Sequence, residues 1–228
     1  MNEKRPLIAL ISATMAAIGP IERAWARSER RVEMWNILDD RLLVDAAEFG
    51  GVVPSLQERM NRLITHAVTE GADGILLTCS LYGSVARERS TGLSIPIFGP
   101  DDAAFNAIVA DNPRRIAVVG SNDLSIADSV QRLRAHAATR GIDPDLIPMF
   151  VAGAPAASKA DGVDELTRSV VAQAELIDPP VDAILIAQYS LALVADDVQR
   201  LTGVPVFSGP ERAVAAMVAA LQATGTSA

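Results

Sequence analysis

Short apolar runs alternate with stretches of helical periodicity along the whole chain. The apolar runs predict eight β-strands, at residues 7–11, 31–38, 74–77, 94–98, 115–119, 146–151, 181–187 and 204–207. Apolar residues recur at helical spacing at residues 54–70, 101–110, 124–140, 163–177 and 210–221. Shorter helices are expected to begin near Pro20 and to run through Val85. Strands that alternate with helices are typical of an α/β protein with parallel sheets.

The second half of the chain repeats the order of the first half. The repeat aligns RIAVVGSN with LIALISAT, AILIAQYS with GILLTCSL, and VPVF with IPIF. The offset is 109 residues for the last two matches and 108 for the first. We therefore expect two pseudo-symmetric lobes, each a four-stranded, mainly parallel sheet flanked by helices. Equivalent strand ends would then face each other across a cleft.

The candidate chemistry lies at the carboxyl ends of the predicted strands, where open parallel sheets place their ligand sites. Cys79, the only cysteine in the chain, follows the apolar run at 74–77. The duplication would place it opposite Gln188. Hydrogen-bonding side chains that could bind a carboxylate or an enolate occupy the same predicted edge. They are Ser12, Thr14, Thr78, Ser80, Ser121, Asn122, Gln188, Tyr189 and Ser190.

Composition and charge exclude several classes of function. A net charge of −8 in 228 residues argues against nucleic-acid partners and anionic membrane surfaces. No apolar run approaches the roughly 20 residues that a membrane span needs. One cysteine and two scattered histidines allow no internal disulfide and make a metal site an unfavoured hypothesis. The expectation is a cytoplasmic protein with no metal.

Together these segments resemble the aspartate/glutamate racemase superfamily, which includes hydantoin racemases, maleate isomerases and arylmalonate decarboxylases. The resemblance is carried by LIALISAT, GILLTCS, AILIAQYS and GVPVFSGPERAV, and it covers nearly the whole chain. It implies an active site between two lobes and no cofactor. The lobes would comprise residues 1–98 and 99–209, with a C-terminal helix at 210–226 that returns to the first lobe. A homodimer or higher homo-oligomer is also implied.

Racemases of this family use one cysteine from each lobe, one to remove the α-proton and the other to return a proton. Cys79 matches the first-lobe cysteine, whereas the second-lobe position holds Gln188, which is a departure from the family pattern. A glutamine amide forms hydrogen bonds but transfers no proton at neutral pH.

The resemblance leaves three roles for Cys79: a single acid or base, a nucleophile, or a racemase base that works with another partner such as Tyr189. The leading hypothesis is a racemase- or isomerase-like enzyme acting at the carbon α to the carboxylate of a small acid or amino-acid-like substrate. The alternatives are a decarboxylase of a malonate-like acid and a non-catalytic protein that binds small acids.

Overall fold

The computed structural model describes residues 5–152 and 160–225, and the chain divides into two units. The first unit contains the described residues up to Asp102 and those from Pro210 onward. The second unit is Ala103–Gly209. Each unit is built on its own parallel sheet of four strands.

The first unit contains a sheet with the strand order β2-β1-β3-β4. Its strands are β1 (Leu7–Ser12), β2 (Glu33–Leu38), β3 (Gly74–Leu77) and β4 (Ile97–Phe98). Its helices are α1 (Ile18–Arg27), α2 (Arg41–Glu48), α3 (Pro54–Thr69), α4 (Gly83–Ser90) and the C-terminal α9 (Gly209–Gly225). Helix α9 packs against β3 at Gly74, where an added Cβ would lie only 2.7 Å from the sulfur of Met217.

The second unit repeats this plan with the strand order β6-β5-β7-β8. Its strands are β5 (Arg115–Gly120), β6 (Asp145–Phe150), β7 (Ala183–Ile186) and β8 (Val206–Ser208). Its helices are α5 (Asp102–Asp111), α6 (Asp123–Ala138), α7 (Ala160–Glu175) and α8 (Ala195–Thr202). Every strand pair in both sheets is parallel.

The burial of the interior strands β3 and β7 explains their continuous apolar sequences. All four residues of β3 (GILL) and all four of β7 (AILI) are buried, because helices cover both faces of each sheet. Side chains of β7 therefore contribute to two core clusters: Ile184 and Ile186 to one, Ala183 and Leu185 to the other. The predicted α/β class with two four-stranded parallel sheets is confirmed.

The structure differs from the predicted elements in several places. Two helices, α2 and α8, were not predicted, because each is only eight residues long and lies in a stretch without a clear repeat. The strand predicted at 94–98 is reduced to Ile97–Phe98, and the strand predicted at 31–38 begins at Glu33. Helix α9 ends at Gly225, beyond the end at residue 221 that the periodicity predicts and next to residue 226, the end implied by the resemblance. Within the described residues, no helix is long and apolar enough to cross a membrane.

Candidate active site

Cys79 lies two residues beyond the last residue of the central strand β3. Its backbone is still extended (φ −108°, ψ 120°), and it precedes a short 3-10 turn at Ser80–Tyr82 that continues into α4. The Tyr82 N–H donates to the Cys79 carbonyl oxygen at 3.1 Å and closes this turn. Cys79 is 9% exposed. The residue is therefore largely enclosed and retains a small accessible surface at the carboxyl end of the sheet.

Two of the predicted ligand residues bind each other beside Cys79. The Thr78 hydroxyl donates to the Ser12 Oγ at 2.8 Å, and both side chains are buried. The Thr78 N–H also donates to the Ile11 carbonyl oxygen at 3.0 Å. These bonds connect the ends of β1 and β3 and hold the backbone before Cys79 in place.

The other two predicted ligand residues of the first unit differ in their surroundings. The Thr14 Oγ1 accepts a hydrogen bond from the Ala16 N–H at 3.3 Å and so caps a short 3-10 turn, with the side chain half-buried. Ser80 is buried directly after Cys79. Binding of substrate by any of the four hydroxyl groups stays a prediction.

Tyr82 is completely buried beneath the Cys79 turn. Its hydroxyl donates to the Leu42 carbonyl oxygen at 2.9 Å. Burial raises the pKa of Tyr82 above its ordinary value, and nearby Cys79 and Asp39 raise it further. The phenol therefore stays neutral at physiological pH and connects the Cys79 turn to α2.

A network of ion pairs lies close to Tyr82 and was not predicted from the sequence. Arg59 of α3 binds Asp39 through two hydrogen bonds, of 2.6 and 2.7 Å, and Asp45 through a third of 3.0 Å. Asp39 directly follows β2, and its N–H donates to the Ser12 carbonyl oxygen at 3.0 Å. Nothing in the spacing of these residues distinguishes Arg59 from the other basic residues on helix surfaces, so the network could not be predicted from the sequence.

Gln188 of the second unit lies two residues beyond the end of β7, as Cys79 does beyond β3. Its Oε1 accepts hydrogen bonds from the Ser121 N–H at 2.6 Å and from the Ser121 hydroxyl at 2.9 Å. A backbone N–H can only donate, so the amide oxygen must face Ser121 and Nε2 must point away from it. Within the described part of the chain Nε2 has no hydrogen-bond partner, so it presents N–H donors at the strand end.

Of the remaining predicted residues of the second unit, Asn122 follows Ser121 in sequence, and Tyr189 and Ser190 follow Gln188. The Asn122 Oδ1 accepts from the Ser125 N–H at 2.8 Å, which makes Asn122 the N-cap of α6. Tyr189 is buried and Ser190 is half-buried in a 3-10 segment, Tyr189–Val194. The structure therefore brings Ser121 and Gln188 into direct contact and assigns Asn122 a capping role.

The described residues contain no group of three or more histidine, cysteine, aspartate or glutamate side chains placed to hold an ion. The described chemistry of the first unit's strand end therefore consists of one thiol and several hydroxyl groups, and that of the second unit consists of an amide and hydroxyl groups.

Two duplicated parallel sheets, with a thiol after one interior strand and an amide after the equivalent one, define an α/β protein of two similar units. The sequence profile of the Asp/Glu/Hydantoin racemase family matches residues 44–217 of this chain. The chain therefore belongs to this family, as its sequence segments predict. A comparison with curated proteins finds no match.

Solved structures with the same fold include racemases and a decarboxylase. The allantoin racemase from Klebsiella pneumoniae is 20% identical, with a TM-score of 0.68 over 96% of this chain and 89% of that chain. A glutamate racemase from Bacillus anthracis is 13% identical, with a TM-score of 0.75 over 98% of this chain and 84% of that one. A double mutant of arylmalonate decarboxylase is 21% identical, with a TM-score of 0.62 over 95% and 92%. At these identities the likeness concerns the fold.

Proposed function

We propose that this protein is a cofactor-independent racemase- or isomerase-type enzyme. Its substrate would be a small acid or amino-acid-like molecule, and the reaction would occur at the carbon α to the carboxylate. Membership of the Asp/Glu/Hydantoin racemase family supports the class of reaction. The observation that carries the proposal is the position of Cys79, the only thiol, at the carboxyl end of the central strand of the first sheet.

In this proposal Cys79 is the group that exchanges a proton with carbon. The thiolate removes the α-proton, and the electron pair of the C–H bond moves into the carboxylate to form an enediolate. Return of this proton by the Cys79 thiol to the face it came from restores the thiolate and gives hydrogen exchange without inversion. Inversion requires a proton delivered to the opposite face by a second donor, such as Tyr189 or water, and the Cys79 thiol then loses its proton to solvent while that donor regains one. The thiolate is the reactive form of cysteine, and hydrogen-bond donors near the sulfur favour it.

Gln188 would bind the substrate and would transfer no proton. Its oxygen is held by Ser121, so its N–H donors are presented at a fixed angle. An amide of this kind can donate to a carboxylate oxygen or to the developing charge of an enediolate, which is the charge that increases in the transition state. We therefore assign Gln188 to substrate binding.

Decarboxylation is the second candidate, and the replacement of a second thiol by Gln188 favours it. Loss of CO2 from a malonate-like acid leaves the electrons of the broken C–C bond in an enediolate. That intermediate needs one proton, which the Cys79 thiol can donate before the thiolate recovers a proton from water. A single thiol is sufficient for this sequence, whereas two-base racemisation requires a second acid.

Proton exchange in heavy water tests both candidates. Small carboxylic, amino and malonate-like acids would be incubated with the wild-type protein and with Cys79→Ser, and NMR would follow the α-hydrogen and the release of CO2. We expect exchange or decarboxylation that Cys79→Ser lowers by a factor of about 10²–10⁴, the usual contribution of a positioned acid or base. Circular dichroism would verify that the variant is folded.

Four outcomes separate the hypotheses. Exchange of the α-hydrogen without CO2 release would support the racemase or isomerase, and release of CO2 would support the decarboxylase. Turnover that Cys79→Ser leaves unchanged would exclude the proposed role of the thiol. Tight binding without any chemistry across the panel would instead identify a binding protein.

A further inference from the structure

A groove lies between helix α6 and the edge strand β6 of the second unit. Its volume is about 580 Å³, which is in the range of sites that bind small molecules. Residues at helical spacing along α6 form one wall, and Pro148 and Phe150 of β6 form the other. Cys79 and Gln188 do not line it, so the groove is separate from the candidate active site.

The walls of the groove are mainly apolar. Ile126 and Val130 contribute to them from α6. On β6, the side chains of Leu146, Pro148 and Phe150 lie on one face, because alternate residues of a strand share a face. Leu146 is buried in a core cluster, whereas Pro148 and Phe150 are exposed. Helix α6 therefore covers the first part of this face of the strand and leaves the last part open.

The two ends of the groove carry opposite charges. Asp123, the first residue of α6, lines one end, where its carboxylate offsets the partial positive charge of the helix N-terminus. Arg134 lines the other end, about 16 Å further along the helix axis. The Arg134 side chain is exposed, and within the described part of the chain it has no hydrogen-bond or ion-pair partner. The groove therefore combines apolar walls with one unpaired cation.

The equivalent place in the first unit is occupied by a polar contact. Glu22 of α1 corresponds to Val130 at the 108-residue offset of the duplication. Asn36 of β2 corresponds to Pro148, because the two residues pair with equivalent positions of β1 and β5. The Asn36 Nδ2 donates to the Glu22 Oε1 at 3.1 Å and so connects helix to edge strand. Val130 and Pro148 have no side-chain polar atoms for such a bond, and both line the groove instead.

We propose that this groove binds a small monocarboxylic acid with a linear apolar chain. Arg134 binds the carboxylate, because a guanidinium presents paired N–H donors that match two carboxylate oxygens. The chain lies along Val130 and reaches Ile126, about 12 Å from Arg134 along the helix axis. Asp123 at the far end repels a second negative charge, so a monocarboxylate is preferred to a dicarboxylate. This site goes beyond the proposed reaction and does not depend on it.

Titration with decanoate, followed by NMR of labelled methyl groups, tests the site. We expect saturable shift changes at the methyl groups of Ile126 and Val130. The dissociation constant should rise about tenfold in Arg134→Gln, because charge-assisted hydrogen bonds to the carboxylate are lost. Arg140→Gln is the matched control, because it removes an exposed arginine just beyond the same helix and outside the groove. Its dissociation constant should equal that of the wild type.

Further ligands and variants separate the parts of the proposal. Decanol has the chain without the charge and should bind about tenfold more weakly than decanoate. Decanedioate carries a charge at both ends and should also bind more weakly. Phe150→Ser removes apolar surface from one wall and should weaken binding about fivefold or more. Cys79→Ser should bind decanoate like the wild type, so a failure of this site is distinguishable from a failure of the proposed reaction.

Several results would overturn the proposal. They are the absence of saturable shifts at Ile126 and Val130, an affinity that Arg134→Gln leaves unchanged, and equal affinities for decanol and decanoate. Shifts at these methyl groups that depend on the protein's own concentration and not on decanoate would assign the groove to a second copy of the chain, and would overturn the proposal as well.

Discussion

Replacing Tyr82 with phenylalanine would remove one hydroxyl from the interior of the first unit without changing the shape of the ring. The hydroxyl donates a 2.9 Å hydrogen bond to the Leu42 carbonyl oxygen, and the side chain has no exposed surface. The variant leaves this carbonyl without its donor. Loss of one partner of a buried hydrogen bond costs about 1–3 kcal/mol, so the free energy of unfolding should fall by this amount at neutral pH.

The stabilities of the wild type and of Tyr82→Phe should also respond differently to alkaline pH. Burial raises the pKa of Tyr82 above its ordinary value of 10.0; Cys79, Asp39 and Asp45 add to this effect, and Arg59 opposes it. Below pH 10 the hydroxyl is protonated in both the folded and the unfolded chain. Above that pH the unfolded chain releases the proton and the folded chain retains it. Wild-type stability should therefore fall, relative to the variant, by about 1.4 kcal/mol per pH unit.

Urea denaturation followed by circular dichroism measures both effects, at pH values on either side of 10. The advantage of the wild type over Tyr82→Phe should be present at neutral pH and should shrink above pH 10. Thr69→Val is a suitable control, because it removes an exposed hydroxyl that donates to the Thr65 carbonyl oxygen. A loss for Tyr82→Phe of less than about 0.5 kcal/mol, the usual size of a surface change, would refute the buried bond.

Three further substitutions test other contacts of the two units. Gly120→Ala should destabilise the second unit by about 1–3 kcal/mol in urea, because the new Cβ would lie 2.5 Å from the Ile126 Cγ1. Gln188→Glu exchanges the N–H donors for a negative charge, so the apparent KM for a carboxylate substrate should rise about tenfold or more while the thermal midpoint changes little. Arg59→Met removes the cation of the mostly buried Asp39 carboxylate and one of the two arginines that bind Asp45, so it should lower the unfolding free energy by about 1–3 kcal/mol.

The sequence was sufficient to predict the parts of the fold that depend on continuous burial. Strands β3 and β7 have no exposed residue, so burial imposes an apolar side chain or glycine at every position. The ends of these two strands could therefore be predicted from the sequence, and so could the positions of Cys79 and Gln188 just after them. The strand order of the structure confirms the two predicted four-stranded sheets.

The sequence could not predict contacts that depend on tertiary proximity. Helix α2 was missed because a short amphipathic segment has little intrinsic stability and forms when its few buried residues find a core. The hydrogen bond between Ser12 and Thr78 joins residues far apart in the chain, and no local pattern indicates it. The same holds for the contact of Gln188 with Ser121. The arrangement of the two units relative to each other, and with it the facing of Cys79 and Gln188, stays a prediction.

The duplication allows equivalent positions in the two halves of the chain to be compared. The central strands of the two sheets have kept the same apolar pattern, because both are buried by helices on two sides. At the carboxyl ends of these strands the two halves differ, because Cys79 corresponds to Gln188. A thiol and an amide give the two halves different chemistry. Packing explains the apolar pattern that the two halves share but does not require a thiol in one and an amide in the other, and this difference is a further reason for the separate roles that we propose for Cys79 and Gln188.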